Sequence, residues 1–218
     1  MSFQPELKGL NIEYFSPLFG EGWVVLGGAE KIFLDDAKPK SIEGKIANAR
    51  FFMRKGRGHV WTSFCEDALA IFVDQKKLLA AIFDGVSGEM DGSGGIASRI
   101  AAKSIIEYAK RINEQNCETL LSEYKDECVK KIKKGGTTAL ILVIFEGKRC
   151  QLYNKGDSLC YSNHELVNAP DSIGNALLKW LNEESGFSRY DFEKKQKLTL
   201  YSDGVFNALD DFTMVEID

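Results

Sequence analysis

Two apolar runs meet at a polar turn in the first half of the chain. Residues 68–74 read ALAIFVD, Gln75-Lys76-Lys77 follow, and the next run is LLAAIFDG. Strands of about six residues joined so tightly predict a β-hairpin. Upstream, GWVVLGGAEKIFLDD (22–36) predicts two short strands around Gly27-Gly28, residues 37–50 are polar and predict a loop, and residues 1–20 are mixed and peripheral. After a glycine-rich loop over 85–95, Ile96, Ile100, Ala101, Ser104, Ile105 and Ala109 recur at helical spacing and predict a helix over 96–112. A second amphipathic helix is predicted from about Cys117 to Lys133, with Leu120, Leu121, Tyr124, Cys128, Val129 and Ile132 on one side.

Strand patterns then resume as TTALILVIFEG (137–147), KRCQLYNKGD (148–157) and SLCYSNHELV (158–167), and their short connections favour antiparallel pairing. SIGNALLKWLNEE (172–184) predicts a helix, and the chain closes with strands in KLTLYSDG (197–204) and DFTMVEI (211–217). Strands grouped around a consecutive helix pair, with no βαβ alternation, imply an α+β fold.

Composition narrows the classes. The 218 residues include 44% hydrophobic and 28% charged positions, enough for one domain with a core that needs no disulfide or structural metal. With 28 basic and 32 acidic residues the net charge is −4, which argues against nucleic-acid binding through bulk positive charge. No apolar stretch approaches the roughly 18 residues of a membrane span, and the first residues lack the pattern of a secretory signal. A cytoplasmic protein without membrane or nucleic-acid partners is expected. Five cysteines form no CxxC pair and read as thiols, as in a reducing compartment. With two histidines, His59 and His164, a bound metal would rest on carboxylates, which suits Mg²⁺ or Mn²⁺.

Aspartates gather at strand ends. Asp84 closes LLAAIFDG, Asp157 closes CQLYNKGD, Asp203 closes KLTLYSDG, Asp210-Asp211 precede the last strand, and Glu66-Asp67 precede the first strand of the hairpin. Rigid strand termini can deliver carboxylates to one cleft. The plainer reading is that Asp-Gly simply makes turns. The GSGG at 92–95 lacks the Lys-Ser/Thr of a phosphate-binding P-loop.

The order EDALAIF, AIFDGVSG with GGIASRIAAKSI, GGTTALILVI, NKGDSL, LTLYSDGVF and DDFTMVEI resembles the motif series of the metal-dependent Ser/Thr protein phosphatases, the protein phosphatase 2C family. The motifs span 66–217, and the resemblance implies a single domain over 1–218, with residues 1–50 adding N-terminal strands and a loop of unassigned placement. It implies two packed antiparallel β-sheets, a β-sandwich, flanked by helices in α-β-β-α layers, with metals at one end. It further implies that Asp84 bridges two Mn²⁺ or Mg²⁺ ions and that Gly85 lends its carbonyl to one. Asp203 and Asp210 would complete the ligand set of the second ion, with Asp211 the adjacent alternative, and Asp157 would serve a weaker third ion. Glu66 and Asp67 would hold metal-bound waters. Gly136, Thr137 and Thr138 match a small-residue strand start near the site, and read equally well as ordinary strand residues. The implied reaction is hydrolysis of phosphoserine or phosphothreonine in a protein substrate by a metal-activated water, with no phosphoenzyme. Cys65 is then a packing residue.

The chain departs from the family's pattern in three places. Four residues before Glu66, where many members carry a phosphate-binding arginine, stands Thr62, so Arg54 or Arg57 from the adjoining loop are the substitutes. Val86 occupies the position of a histidine found in many eukaryotic members, and His59 reads as a loop histidine or a substitute acid. Only six residues separate Asp203 from Asp210, where the family usually inserts a helical segment, and the flap-bearing stretch from Asp157 to Asp203 is short. Two alternatives stay open: the compact branch of the superfamily that dephosphorylates regulators of sigma factors, and a pseudophosphatase acting as a binding module.

Overall fold

The computed structural model describes residues 6–7, 13–15, 22–27, 41–58, 64–87, 91–146, 148–173, 176–177, 179–205 and 209–218. Its strands in chain order begin with β1 (Glu6–Leu7), β2 (Glu13–Phe15), β3 (Gly22–Gly27), β4 (Ser41–Ile46), β5 (Ala49–Arg54), β6 (Ala68–Val73), β7 (Lys77–Phe83) and β8 (Gly85–Val86). Helices α1 (Ser93–Ala109) and α2 (Cys117–Lys131) follow. Next come β9 (Gly136–Thr137), β10 (Ala139–Phe145), β11 (Arg149–Lys155), β12 (Leu159–Ser162) and β13 (Glu165–Leu166). The last are β14 (Ser172–Ile173), β15 (Ala176–Leu177), β16 (Ser188–Glu193), β17 (Leu198–Tyr201) and β18 (Phe212–Ile217).

Two seven-stranded antiparallel sheets face each other. The first runs β16-β11-β10-β7-β6-β3-β2 and the second β1-β4-β5-β18-β17-β12-β13. Burial follows the sequence pattern closely. Every residue of β6 and β7 is buried, because one face of their sheet meets the second sheet and the other meets the helices. That is why both strands are continuous apolar runs. Strand β18 alternates instead, with Thr213, Val215 and Ile217 inward and Phe212, Met214 and Glu216 outward.

Leu69, Ile71, Ile82 and Leu142 meet Phe51, Met53, Leu200 and Val215 between the sheets. On the opposite face of the first sheet, Phe72, Phe83, Ile141 and Val143 pack against Ala101, Ile105, Leu121 and Tyr124 of the helices. Each large apolar side chain buried there contributes roughly 1.5–3 kcal/mol by leaving water. Both described α-helices lie on this side, where Tyr124 donates its hydroxyl to Ala101 O at 3.0 Å, whereas the single turn of 3-10 helix at Asp203–Val205 connects β17 to β18 of the second sheet. The 203–210 connection, six residues long, has no length for a helix pair over the second sheet.

Three local expectations give way to tertiary structure. Residues 41–50, expected as part of a loop, belong instead to the β4–β5 hairpin, which turns at Ala47 with φ 52, and residues 37–40 of that loop lie outside the described residues. Residues 172–184 contain no helix among the described residues: Ser172 pairs with Leu177 and Ile173 with Ala176, with Gly174-Asn175 between them. Strands β10 and β11 pair as expected, but β12 leaves for the second sheet and pairs with β17. The strand expected over 30–36 lies outside the described residues. The hairpin β6–β7, the two helices and the pair β17–β18 stand where the sequence pattern puts them, with α1 starting three residues early.

Candidate metal centre

Strand register gathers the acidic residues at one end of the sandwich. Ala68 pairs with Phe83, so Asp67 before β6 lies across from Asp84 after β7. Ala139 pairs with Lys155, which brings Asp157 after β11 to the same end. In the second sheet Tyr201 pairs with Met214 and Phe212 with Arg54. The end of β17, the start of β18 and the end of β5 thus deliver Asp203, Asp210-Asp211 and the 55–58 loop.

Each acid is held by backbone and by close packing. The Asp84 N–H donates to Thr138 Oγ1 at 3.1 Å, and Asp84 O accepts from Thr138 N–H and Thr137 Oγ1, both at 2.9 Å. A Cβ on Gly85 would stand 2.4 Å from Glu66 O and 2.6 Å from the Gly94 carbonyl carbon, so only glycine lets β8 pass between the 66–67 loop and α1. Gly204 is more constrained still, since its Cβ would meet Asp211 O at 1.7 Å. These two Asp-Gly pairs are therefore close-approach sites as well as turns. Asp67 is buried and accepts from Thr213 Oγ1 at 2.8 Å, a bond that ties the two sheets together.

The carboxyls raise one another's proton affinity. Asp67 is held well above the usual carboxylate range, first by burial and then by the charge of Asp211, while hydrogen bonds from Ser202 and Thr213 oppose the rise and Asp203 adds to it. Asp84 is also raised well above that range, by lost hydration and then by Asp67, Asp203 and Asp157. Asp157 is pushed up to about 6, by burial first, then by Asp203, Asp210 and Asp171 against a backbone hydrogen bond that lowers it. One shared field therefore reaches carboxylates from both sheets. Among the described residues no three acidic, histidine or cysteine side chains close tightly enough around one point to hold an ion.

The sequence profile described as Protein phosphatase 2C matches residues 56–216, about three quarters of the chain. The chain belongs to the protein phosphatase 2C family.

Solved structures agree in fold. The Staphylococcus aureus serine/threonine phosphatase Stp1 is 19% identical, with 79% of this chain and 95% of that chain covered and a TM-score of 0.61. The Mycobacterium tuberculosis serine/threonine phosphatase PstP/Ppp is 18% identical, over 78% of this chain and 98% of that one, with a TM-score of 0.56. An RsbX structure in complex with magnesium is 16% identical, covers 98% of both chains and has a TM-score of 0.51. No curated protein matches the chain.

Within this protein phosphatase 2C fold, Glu66, Asp67, Asp84, Gly85, Asp157, Asp203 and Asp210 all lie at the same end of the sandwich. The two arginines separate. Arg54 sits on the outer face of the second sheet with its guanidinium over the Phe212 ring, 5.8 Å from the centroid, and its Nε is buried without a hydrogen-bond partner. Arg57 is exposed between Gly56, whose N–H donates to Asp211 Oδ1 at 2.6 Å, and Gly58, whose N–H donates to Leu209 O at 2.7 Å. It therefore stands beside the acidic segment. Thr62 and His59 lie outside the described residues. Cys65 is fully buried, and burial together with the nearby Asp211 and Asp67 charges pushes its thiol up, so it packs and does not react. Sequence reasoning passed over Ser87, which donates to Glu66 Oε1, and Ser98, which donates to Glu66 O at 2.5 Å. Nothing in a serine's local pattern marks either contact.

Proposed function

We propose that the chain is a single protein phosphatase 2C domain over residues 1–218 that hydrolyses phosphomonoesters, with phosphoserine and phosphothreonine of proteins as substrates. The single observation that carries this reading is the shared acidic field at Asp67, Asp84, Asp157 and Asp203 in a chain of this family. Such a field costs the fold stability unless cations neutralise it. The donors are all oxygen, which fits Mn²⁺ or Mg²⁺. Asp84 with the Gly85 carbonyl, Asp203 and Asp210 would hold two ions, and Asp157 a weaker third. When bound, the ions supply a water acidic enough to be hydroxide near neutral pH and offset charge on the phosphoryl oxygens.

The chain's own residues do the rest. Glu66 and Asp67 orient the attacking water, Asp67 through an oxygen fixed by Thr213. Arg57 receives the phosphate, and its planar fork suits two phosphoryl oxygens at once. Arg54, committed to Phe212, does not take part. Membership of all of β3 and β4 in the two main sheets supports a domain that extends upstream of the matched residues. Five buried thiols are compatible with the cytoplasm, and among the described residues no helix is long and apolar enough to cross a membrane.

The test is turnover of para-nitrophenyl phosphate and of phosphoserine and phosphothreonine peptides with Mn²⁺ and after chelation. Metal-dependent turnover abolished by EDTA is expected. Full turnover in excess EDTA after dialysis would refute the mechanism, and no turnover of any ester at saturating Mn²⁺ would favour the binding-module alternative. The compact branch that acts on regulators of sigma factors is the second reading. The six-residue 203–210 connection and the full-length correspondence with the RsbX structure support it.

A further inference from the structure

Among the described residues Glu66 is gripped by Asp211, Ser98 and Ser87, none of which has a part in the reaction proposed above. Its N–H donates to Asp211 Oδ2 at 2.5 Å, its carbonyl accepts from Ser98, and its carboxylate Oε1 accepts from Ser87. The side chain of Asp211 is buried, and its other oxygen accepts the Gly56 N–H at 2.6 Å. One carboxylate therefore brackets two loops that are 155 and 145 residues away in sequence, one carrying Arg57 and the other Glu66. Ser87 acts on the side chain instead of the backbone. Its oxygen accepts the Gly94 N–H at 2.9 Å in the first turn of α1, so its only hydrogen is directed at Glu66. Glu66 Oε1 is thereby held as an acceptor in one orientation.

We infer that Asp211 and Ser87 are positioning residues for the hydrolysis: Asp211 sets the Glu66 backbone together with the Arg57 loop, and Ser87 sets the Glu66 carboxylate. This rests on the hydrolase reading above, in which Glu66 orients the attacking water. It also divides the acidic pair before β18, with Asp210 facing the ions and Asp211 spent on the protein's own backbone. An interaction network of this kind has a kinetic signature, because the two residues reach different partners. Loss of the Ser87 hydroxyl frees only the Glu66 carboxylate and should lower kcat. Loss of one acceptor at Asp211 loosens Glu66 and Arg57 together and should alter both kcat and KM.

The experiment measures steady-state hydrolysis of para-nitrophenyl phosphate at saturating Mn²⁺, and Mn²⁺ binding by calorimetry, for wild type, Ser87→Ala, Ser87→Thr and Asp211→Asn. Ser87→Ala is expected to lower kcat about tenfold with KM within about twofold, since small misplacements of an orienting group are costly. Ser87→Thr, which keeps the donor, should recover most of that loss. Asp211→Asn is expected to lower kcat about tenfold and raise KM about five- to tenfold, with Mn²⁺ affinity within about twofold of wild type. A drop in Mn²⁺ affinity of tenfold or more in Asp211→Asn, or full activity restored by excess Mn²⁺, would make Asp211 a ligand and overturn the assignment. Equal kcat in Ser87→Ala, Ser87→Thr and wild type would overturn it for Ser87, and that comparison stands even if Asp211→Asn does not fold. Normal wild-type turnover with unaltered variants refutes the positioning assignment alone, whereas an inactive wild type refutes the hydrolase reading and this inference together.

Discussion

Removing one charge from the acidic end should make the metal-free protein more stable, and Asp157→Asn is the cleanest way to see it. The Asp157 carboxyl releases its proton near 3.8 when unperturbed and at about 6 in the folded chain, because burial and the charges of Asp203, Asp210 and Asp171 disfavour its ionised form. A raised acid pKa means the folded state holds a proton that the unfolded chain has already lost. Stability from this group is therefore intact below about pH 4 and falls as pH rises toward 6, then stays low. The difference corresponds to about 3 kcal/mol at most, at about 1.4 kcal/mol per tenfold change in proton affinity. Asp157 keeps contact with water, and screening reduces the penalty to about 1–2 kcal/mol. For a chain of this size that is about 2–8 °C in Tm. Thermal unfolding in excess chelator, at pH 4 and pH 7.5, reads this directly. The variant should melt with wild type at pH 4 and above it at pH 7.5, and added Mn²⁺ should raise the wild-type Tm more than the variant's. A variant that melts at or below the wild-type temperature at pH 7.5 in chelator would refute the reasoning, because Asp157 would then carry no unfavourable charge.

Other outcomes follow from the same geometry. Asp84→Asn and Asp203→Asn should each remove most metal-dependent turnover while the far-ultraviolet circular dichroism stays that of wild type, since each change deletes a charge the ions need and relieves repulsion without them. Arg57→Ala should raise KM for para-nitrophenyl phosphate about ten- to hundredfold, the equivalent of one charge-assisted contact of about 1.5–3 kcal/mol. Arg54→Ala should leave KM unchanged and lower stability by about 0.5–2 kcal/mol through loss of its seat on Phe212, as read by urea unfolding. Gly204→Ala forces a methyl group to within 1.7 Å of Asp211 O and should cost about 1–3 kcal/mol or more in urea unfolding, with activity lost as Asp203 and Asp211 are pushed apart.

The elements whose burial is uniform and local are legible in the pattern of apolar residues alone. Strands β6 and β7 are apolar at nearly every position because both faces are covered, and the three-residue turn between them fixes their pairing. The helix pair shows its buried stripe in the same direct way, and the aspartates at strand ends, ordered along the chain, carry the family resemblance. What the sequence left open depends on contacts between residues far apart in the chain. Strand β4 is interrupted by Gly44 and by charged residues, and it becomes a strand because β5 pairs along its whole length. The stretch 172–184 has a helix-like pattern, yet a helix there would give up a set of contacts the fold uses: Leu181 N–H donates to Thr137 O at 2.6 Å, and Lys155 Nζ donates to the Glu183 and Ser185 carbonyls. Strand β12 departs to the second sheet because its partner, β17, lies about 40 residues on. The division of Arg54 from Arg57, and of Asp210 from Asp211, was likewise invisible in one dimension. Alternation along β5 sends Arg54 outward onto Phe212, and two backbone N–H groups claim Asp211. Residue type and spacing fix which groups can meet a cation or a phosphate, but hydrogen bonds spanning about 150 residues decide which of them remain available to do so.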